Sequence, residues 1–238
     1  MRDLETLDRE ARETRIYHEI ISGNVPDWMR DLEPVEITGV IGGRERRVTM
    51  WVTPDYLAVG SSDDYFLVPL TSATAQRIAA HLGASLPTPR MVDAIWESAE
   101  VHLMPIRFRP DEHMTTFAYF VRHDAVVKGQ RMISNAPPGT FVAGHKLDVV
   151  APEPGSADVP AISIYGWHFP DGRVLQPLFT AMSDEMVAFS HGVRLVHRNV
   201  LVDGVWRDIA EILSDSALAL LFTHAQPRAK PRVIPTKR

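Results

Sequence analysis

The chain contains no cysteine, which rules out disulfides, thiolate zinc sites, iron–sulfur clusters and a thiol nucleophile together. It has no run of about 18 apolar residues, so no segment reads as a membrane-spanning helix. Positive net charge is lacking too: 25 Lys and Arg against 30 Asp and Glu give −5, which argues against a general nucleic-acid binder. Glycine-rich phosphate loops, a His-Glu-x-x-His helix, an EF-hand loop and a Gly-x-Ser-x-Gly elbow are all missing, so the common nucleotide, zincin, calcium and α/β-hydrolase readings have no motif behind them. Gly42-Gly43 reads as a turn, too short to cradle a phosphate. The first fifteen residues alternate acids and bases without an apolar centre, unlike a secretory leader. The expected location is the cytoplasm, or outside it with the leader absent from this chain.

What is present is the composition of a globular protein: 238 residues, 45% hydrophobic and 23% charged, enough to bury a core without staples. The spacing of Leu4, Leu7, Ala11, Ile16 and Ile20 predicts an amphipathic helix over 4–21, stopped by Gly23 and Pro26. β-Branched runs at 35–38 and 47–52, joined by Gly42-Gly43, predict a hairpin, and Tyr56 to Val59 a short strand. Helices are expected from Thr71 or Ser72 to Leu82, from Thr88-Pro89 to about Ala99, and from about Thr115 towards Arg131. Beyond Pro137 the pattern turns to strands at 140–150 and 159–168, a loop over Pro152 to Pro160, a bend or hairpin around Asn199, and a final helix over 206–222. The expected fold class is α+β, with helices mainly in the N-terminal half, a mixed or antiparallel β-sheet in the C-terminal half and a C-terminal helix. One domain over 1–226 is expected, then a basic disordered tail over 227–238. Five basic residues and no acid from Arg228 onward leave the body more acidic than the net charge shows.

Ten histidines occur, and six lie between His113 and His197. Three interrupt apolar strands: His145 in Gly-His-Lys-Leu-Asp, His168 after Ile162 to Trp167, and His191 in Ser-His-Gly-Val-Arg. Polar groups inside core-like strands are costly unless they are satisfied or functional. Strand alternation puts His145 and Asp148 on opposite faces unless Gly144 bends the backbone. Two chemistries fit the set. His145, His168 and His191 with Asp148 can hold a divalent metal such as zinc, although no spacing matches an established ligand pattern. Alternatively no cofactor is needed: His168 or His145 activates Ser190 or water, Asp148 orients the imidazole, and Lys146 or Arg194 stabilises an oxyanion. Tyr165 and Trp167 would assist in binding substrate. The stretch Asp55-Tyr56 through Asp63-Asp64-Tyr65 reads as a surface turn or, less readily, a sugar or peptide groove, and the five tryptophans read mostly as core. The adjacent acids Asp63-Asp64 and Asp184-Glu185 carry no glycosidase geometry.

Three stretches in order resemble the catalytic domain of the L,D-transpeptidases, which cross-link cell-wall peptides. Pro137-Pro138-Gly139-Thr140-Phe141 is similar to the family's Pro-Thr-Pro-x-Gly-x-Phe. Ile164 to His168 stands where the family has Ile-His-Gly, and Ser190-His191-Gly192-Val193-Arg194-Leu195 resembles Ser-His-Gly-Cys-Ile-Arg-Leu. The likeness covers about a quarter of the chain. Val193 replaces the nucleophilic cysteine, the box is one residue shorter, and Phe169 replaces the glycine after the first histidine. Transpeptidation through a thioester is therefore excluded, and what the resemblance implies is a shared scaffold or a polysaccharide- or peptide-binding relic. Over most of its length the chain resembles a group of uncharacterised bacterial proteins through Gly23 to Asp27, Val52 to Ser61, Met91 to Ile95, Gly144 to Val150, Tyr165 to His168 and Phe189 to Val196. That resemblance implies one domain and brings no activity.

The expectation is a hydrolase of amide or ester bonds in a peptide, cell-wall fragment or polymer, with His145, Asp148, His168, Ser190, His191 and Arg194 in one cleft and Lys146, Tyr165 and Trp167 beside them. The alternative is a non-catalytic binding module for cell-wall or carbohydrate ligands. No nucleic acid and no membrane span are expected, and oligomeric state is left open.

Overall fold

The computed structural model describes residues 4–109, 111–151, 163–180 and 186–224. The loop expected over Pro152 to Pro160, the first residues of the strand expected from Val159, the pair Asp184-Glu185 and the basic tail lie outside the described residues.

Side-chain caps set the helix starts. The Asp8 carboxylate accepts the Ala11 amide and opens α1 (Arg9–Ile21), five residues later than apolar spacing alone predicts. Thr71 opens α2 (Ser72–His81), and Thr88 opens α3 (Pro89–Ser98) with proline at its first position, both as expected. Thr116 opens α4 (Phe117–Ile133), which runs through Gly129. The expected C-terminal helix is divided. Residues 205–208 form a strand, Asp208 caps a short α5 (Ile209–Ser214), and a 3-10 turn follows at Leu218–Phe222. The hydrophobic run at 205–206 is paired with a neighbouring strand, and that pairing overrides its helical period.

The strands divide between the two halves. β1 (Glu33–Ile41) and β2 (Arg44–Val52) form the expected hairpin. β3 (Ala58–Gly60) pairs with β4 (Tyr65–Leu67). The short β5 (Ala84–Ser85), β6 (Val101–His102) and β7 (Val142–Ala143) precede the longer β8 (Leu147–Val150), β9 (Ser163–His168) and β10 (Val174–Phe179). β11 (His191–Gly192), β12 (Val196–His197), β13 (Asn199–Val202) and β14 (Val205–Asp208) complete the described set. One sheet runs β14-β13-β2-β12-β5, with β1 on the other edge of β2. A second, mixed sheet runs β10-β9-β8-β11, in which β11 is parallel to β8. This is an α+β fold, and no helix among the described residues is long and apolar enough to cross a membrane.

Two apolar clusters fill the interior. One gathers α1, α2 and α4 around the β3–β4 pair and reaches the second sheet, through Ile16, Ile20, Ile78, Phe66, Phe120 and Val149. The other packs α3 and α5 on the first sheet through Met50, Val52, Ile95, Val200, Ile209 and Ile212. Wholly buried Arg194 stands between these layers. Its Nη1 donates to the Thr53 carbonyl at 2.6 Å and its Nη2 to the Val142 carbonyl at 2.7 Å.

Candidate acid–base site

Local backbone decides where the strand histidines point. The strand expected over 140–150 is broken at Gly144, which has φ +97. A Cβ there would lie 2.7 Å from the Leu103 carbonyl oxygen and 2.8 Å from that of His168, so the close approach of three chain segments requires glycine. In β9, Gly166 (φ +99) and Trp167 (φ +56) both adopt left-handed backbone. Regular alternation would put Tyr165 and His168 on opposite faces. The distortion returns them to the same side, and both reach one carboxylate, Asp93 on α3.

Asp93 is nearly buried and bridges several groups. Its Oδ1 accepts from the Tyr165 hydroxyl at 2.8 Å and pairs with His168 Nε2 at 3.0 Å, while its Oδ2 pairs with His224 Nε2 at 3.0 Å. Burial alone would raise the Asp93 carboxyl, but these hydrogen bonds hold it well below the usual carboxylate range. His168 Nδ1 has no hydrogen-bond partner among the described residues. It lies close to Gly166, where a Cβ would come within 3.3 Å of it. Trp96 stacks on His168, with ring centroids 5.6 Å apart, and on His102 at 4.2 Å. The His224 side chain is 36% exposed and marks the solvent side of the cluster.

His145 belongs to a different, fully buried centre. Its Nε2 lies 3.1 Å from Asp55 Oδ1, and Arg131 Nη1 donates to Asp55 Oδ2 at 2.7 Å. Burial would raise Asp55, but His145 and Arg131 hold it below its ordinary value. Burial lowers His145 despite Asp55, which makes it a neutral ring donating Nε2–H to a carboxylate. Asp148 does not orient His145 as the sequence suggests. It accepts the Tyr56 hydroxyl at 2.9 Å, so the adjacent Asp55 and Tyr56 serve the two groups separately. Burial raises Asp148 to about 6, and burial followed by Asp148 raises Tyr56 well above its ordinary value.

The remaining expected residues are likewise buried. Lys146 Nζ donates to the Phe189 carbonyl at 2.8 Å, and burial lowers its amine to about 8. Burial and then Lys146 lower His191 to about 4, and burial followed by Lys146 and His145 lowers His123 to about 2. Trp167 Nε1 donates to the His145 carbonyl at 3.2 Å. Arg194 spends its guanidinium ends on two backbone carbonyls and is wholly buried. Ser190 makes no side-chain hydrogen bond to an imidazole among the described residues.

His168 pairs with Asp93 and His145 with Asp55, whereas His191 Nδ1 is buried without a hydrogen-bond partner among the described residues. Among the described residues no three His, Asp or Glu side chains converge to hold a metal ion. Asp55, Asp93 and His224 are participants that sequence reasoning missed. Asp55 and Tyr56 are buried, not a surface turn. Asp55 and Asp93 each interrupt an apolar stretch, the signal that singled out the strand histidines.

Fold and site together define an α+β protein with a carboxylate-anchored imidazole at the junction of α3 and β9. The chain matches no protein-family model, no curated protein and no solved structure.

Proposed function

We propose that the protein is a hydrolase of amide or ester bonds in a peptide, cell-wall fragment or polymer, with His168 as its acid–base group. The observation that carries this reading is the Asp93 carboxylate 3.0 Å from His168 Nε2, with Nδ1 left without a partner among the described residues. Asp93 fixes the ring and stabilises the charge that forms when Nδ1 takes a proton. Water adds to the acyl carbon as its proton passes to Nδ1. The same proton then goes to the leaving nitrogen or oxygen, releasing an acid and an amine or alcohol. Water is preferred to Ser190 as nucleophile because Ser190 has no imidazole bonded to it.

The test is turnover of the full chain on a panel of activated esters, peptide amides and muropeptides. His168→Gln and Asp93→Asn should each lower kcat/KM by about a hundredfold or more, with circular dichroism unchanged. Undiminished turnover in folded His168→Gln would overturn the assignment. The second reading, a non-catalytic binding module, draws on the 3% exposure of His168. It predicts no turnover on any substrate of the panel.

A further inference from the structure

The outer face of the first sheet carries a feature that hydrolysis does not use. In β2, Val48, Met50 and Val52 face the core, so Arg47, Thr49 and Trp51 face outward. Register places Pro34 opposite Trp51, Glu36 opposite Thr49, and Leu201 opposite both Thr49 and Trp206. Trp51 and Trp206 stack with centroids 5.0 Å apart and planes 29° apart. Trp206 is 59% exposed, although its run of sequence reads as core. Glu36 and Arg47, both exposed, pair at 3.7 Å on the same face.

We propose that this face is a glycan-binding site, with Trp206 as the platform for the apolar face of a neutral β-linked pyranose chain and Glu36, Arg47 and Thr49 as partners for its hydroxyls. The electron-rich face of an indole attracts the C–H groups that an all-equatorial sugar presents on one side. Trp51 stacks behind Trp206 and holds its ring in place, which lowers the ordering cost of binding. The apolar part of the face, Trp51, Trp206, Leu201 and Pro34, lies in register with the polar Glu36 and Thr49, a mixed surface suited to a ligand that has both an apolar face and a hydroxyl edge. The balanced Glu36 and Arg47 charges fit a neutral saccharide better than a polyanion.

Calorimetric titration of the full chain with cellohexaose and with chitohexaose tests this. At least one should bind saturably, Trp206→Ala should weaken that binding at least tenfold, and Trp206→Tyr should keep most of it. His168→Gln should bind as the native protein does, so failure of the hydrolase reading and failure of this one are separable. Absence of binding to both sugars, or equal binding by folded Trp206→Ala, overturns the proposal. So does self-association, seen by sedimentation, that Trp206→Ala abolishes, because the face would then be covered by a second copy.

Discussion

His191 and Asp148 sit on paired strands, β11 and β8, yet they couple folding to pH in opposite directions. Burial and Lys146 lower His191 to about 4. From its ordinary value of about 6.5 down to 4, the unfolded chain binds a proton that the native one refuses, so stability is full above this window and falls as pH drops through it. Asp148 is raised to about 6, so the native chain keeps a proton that the unfolded one has lost, and stability falls as pH rises from about 4 to 6. Urea unfolding between pH 4 and 6 should therefore show His191→Gln shifting the slope of stability against pH downward by about 1.4 kcal/mol per pH unit, and Asp148→Asn shifting it upward by a similar amount. Profiles parallel to the native one would show that neither group is held as described. At this scale much was legible: a polar residue within an apolar strand marks a buried polar group, and His145, Asp148, His168 and His191 are all buried. Their partners were not legible, since His145 and Asp55 are 90 positions apart and His168 and Asp93 are 75 apart.

Helix starts at Thr71 and Thr88 could be read directly, because a cap acts within three residues of its own position. The first hairpin was legible for a similar reason, since its turn and alternation lie within one stretch. Strands bent by distant contacts were not. The break between β7 and β8 exists because carbonyls of Leu103 and His168 crowd Gly144, and neither segment is near it in sequence. A methyl group at that position meets two backbone oxygens and a left-handed φ. Gly144→Ala should therefore cost about 2 kcal/mol or more, read as a lower urea midpoint with unchanged slope. A midpoint equal to that of the native protein would mean that the two chain segments separate freely. The left-handed Trp167 had no sequence signal at all, and it is the turn that lets Tyr165 and His168 share Asp93.

Across the whole molecule, Arg194 joins the end of β2 to β7 through two carbonyls, and each of the two large apolar clusters draws on both halves of the chain. Such interleaving favours one cooperative unit. Scanning calorimetry should give one transition whose calorimetric and van't Hoff enthalpies agree. Arg194→Met, which leaves both carbonyls unpaired in the interior, should lower stability by roughly 3 kcal/mol and keep the single transition. Two separable transitions in the native protein would contradict this. By itself, the sequence determined the α+β class, the main helices, the first hairpin and the exclusion of thiol chemistry, because composition, period and caps act within a few residues. Only the tertiary structure decided that Asp93 anchors His168, that Asp55 anchors His145, and that Trp206 faces solvent. Those pairings depend on how helices and strands far apart in the chain meet, which no local pattern encodes.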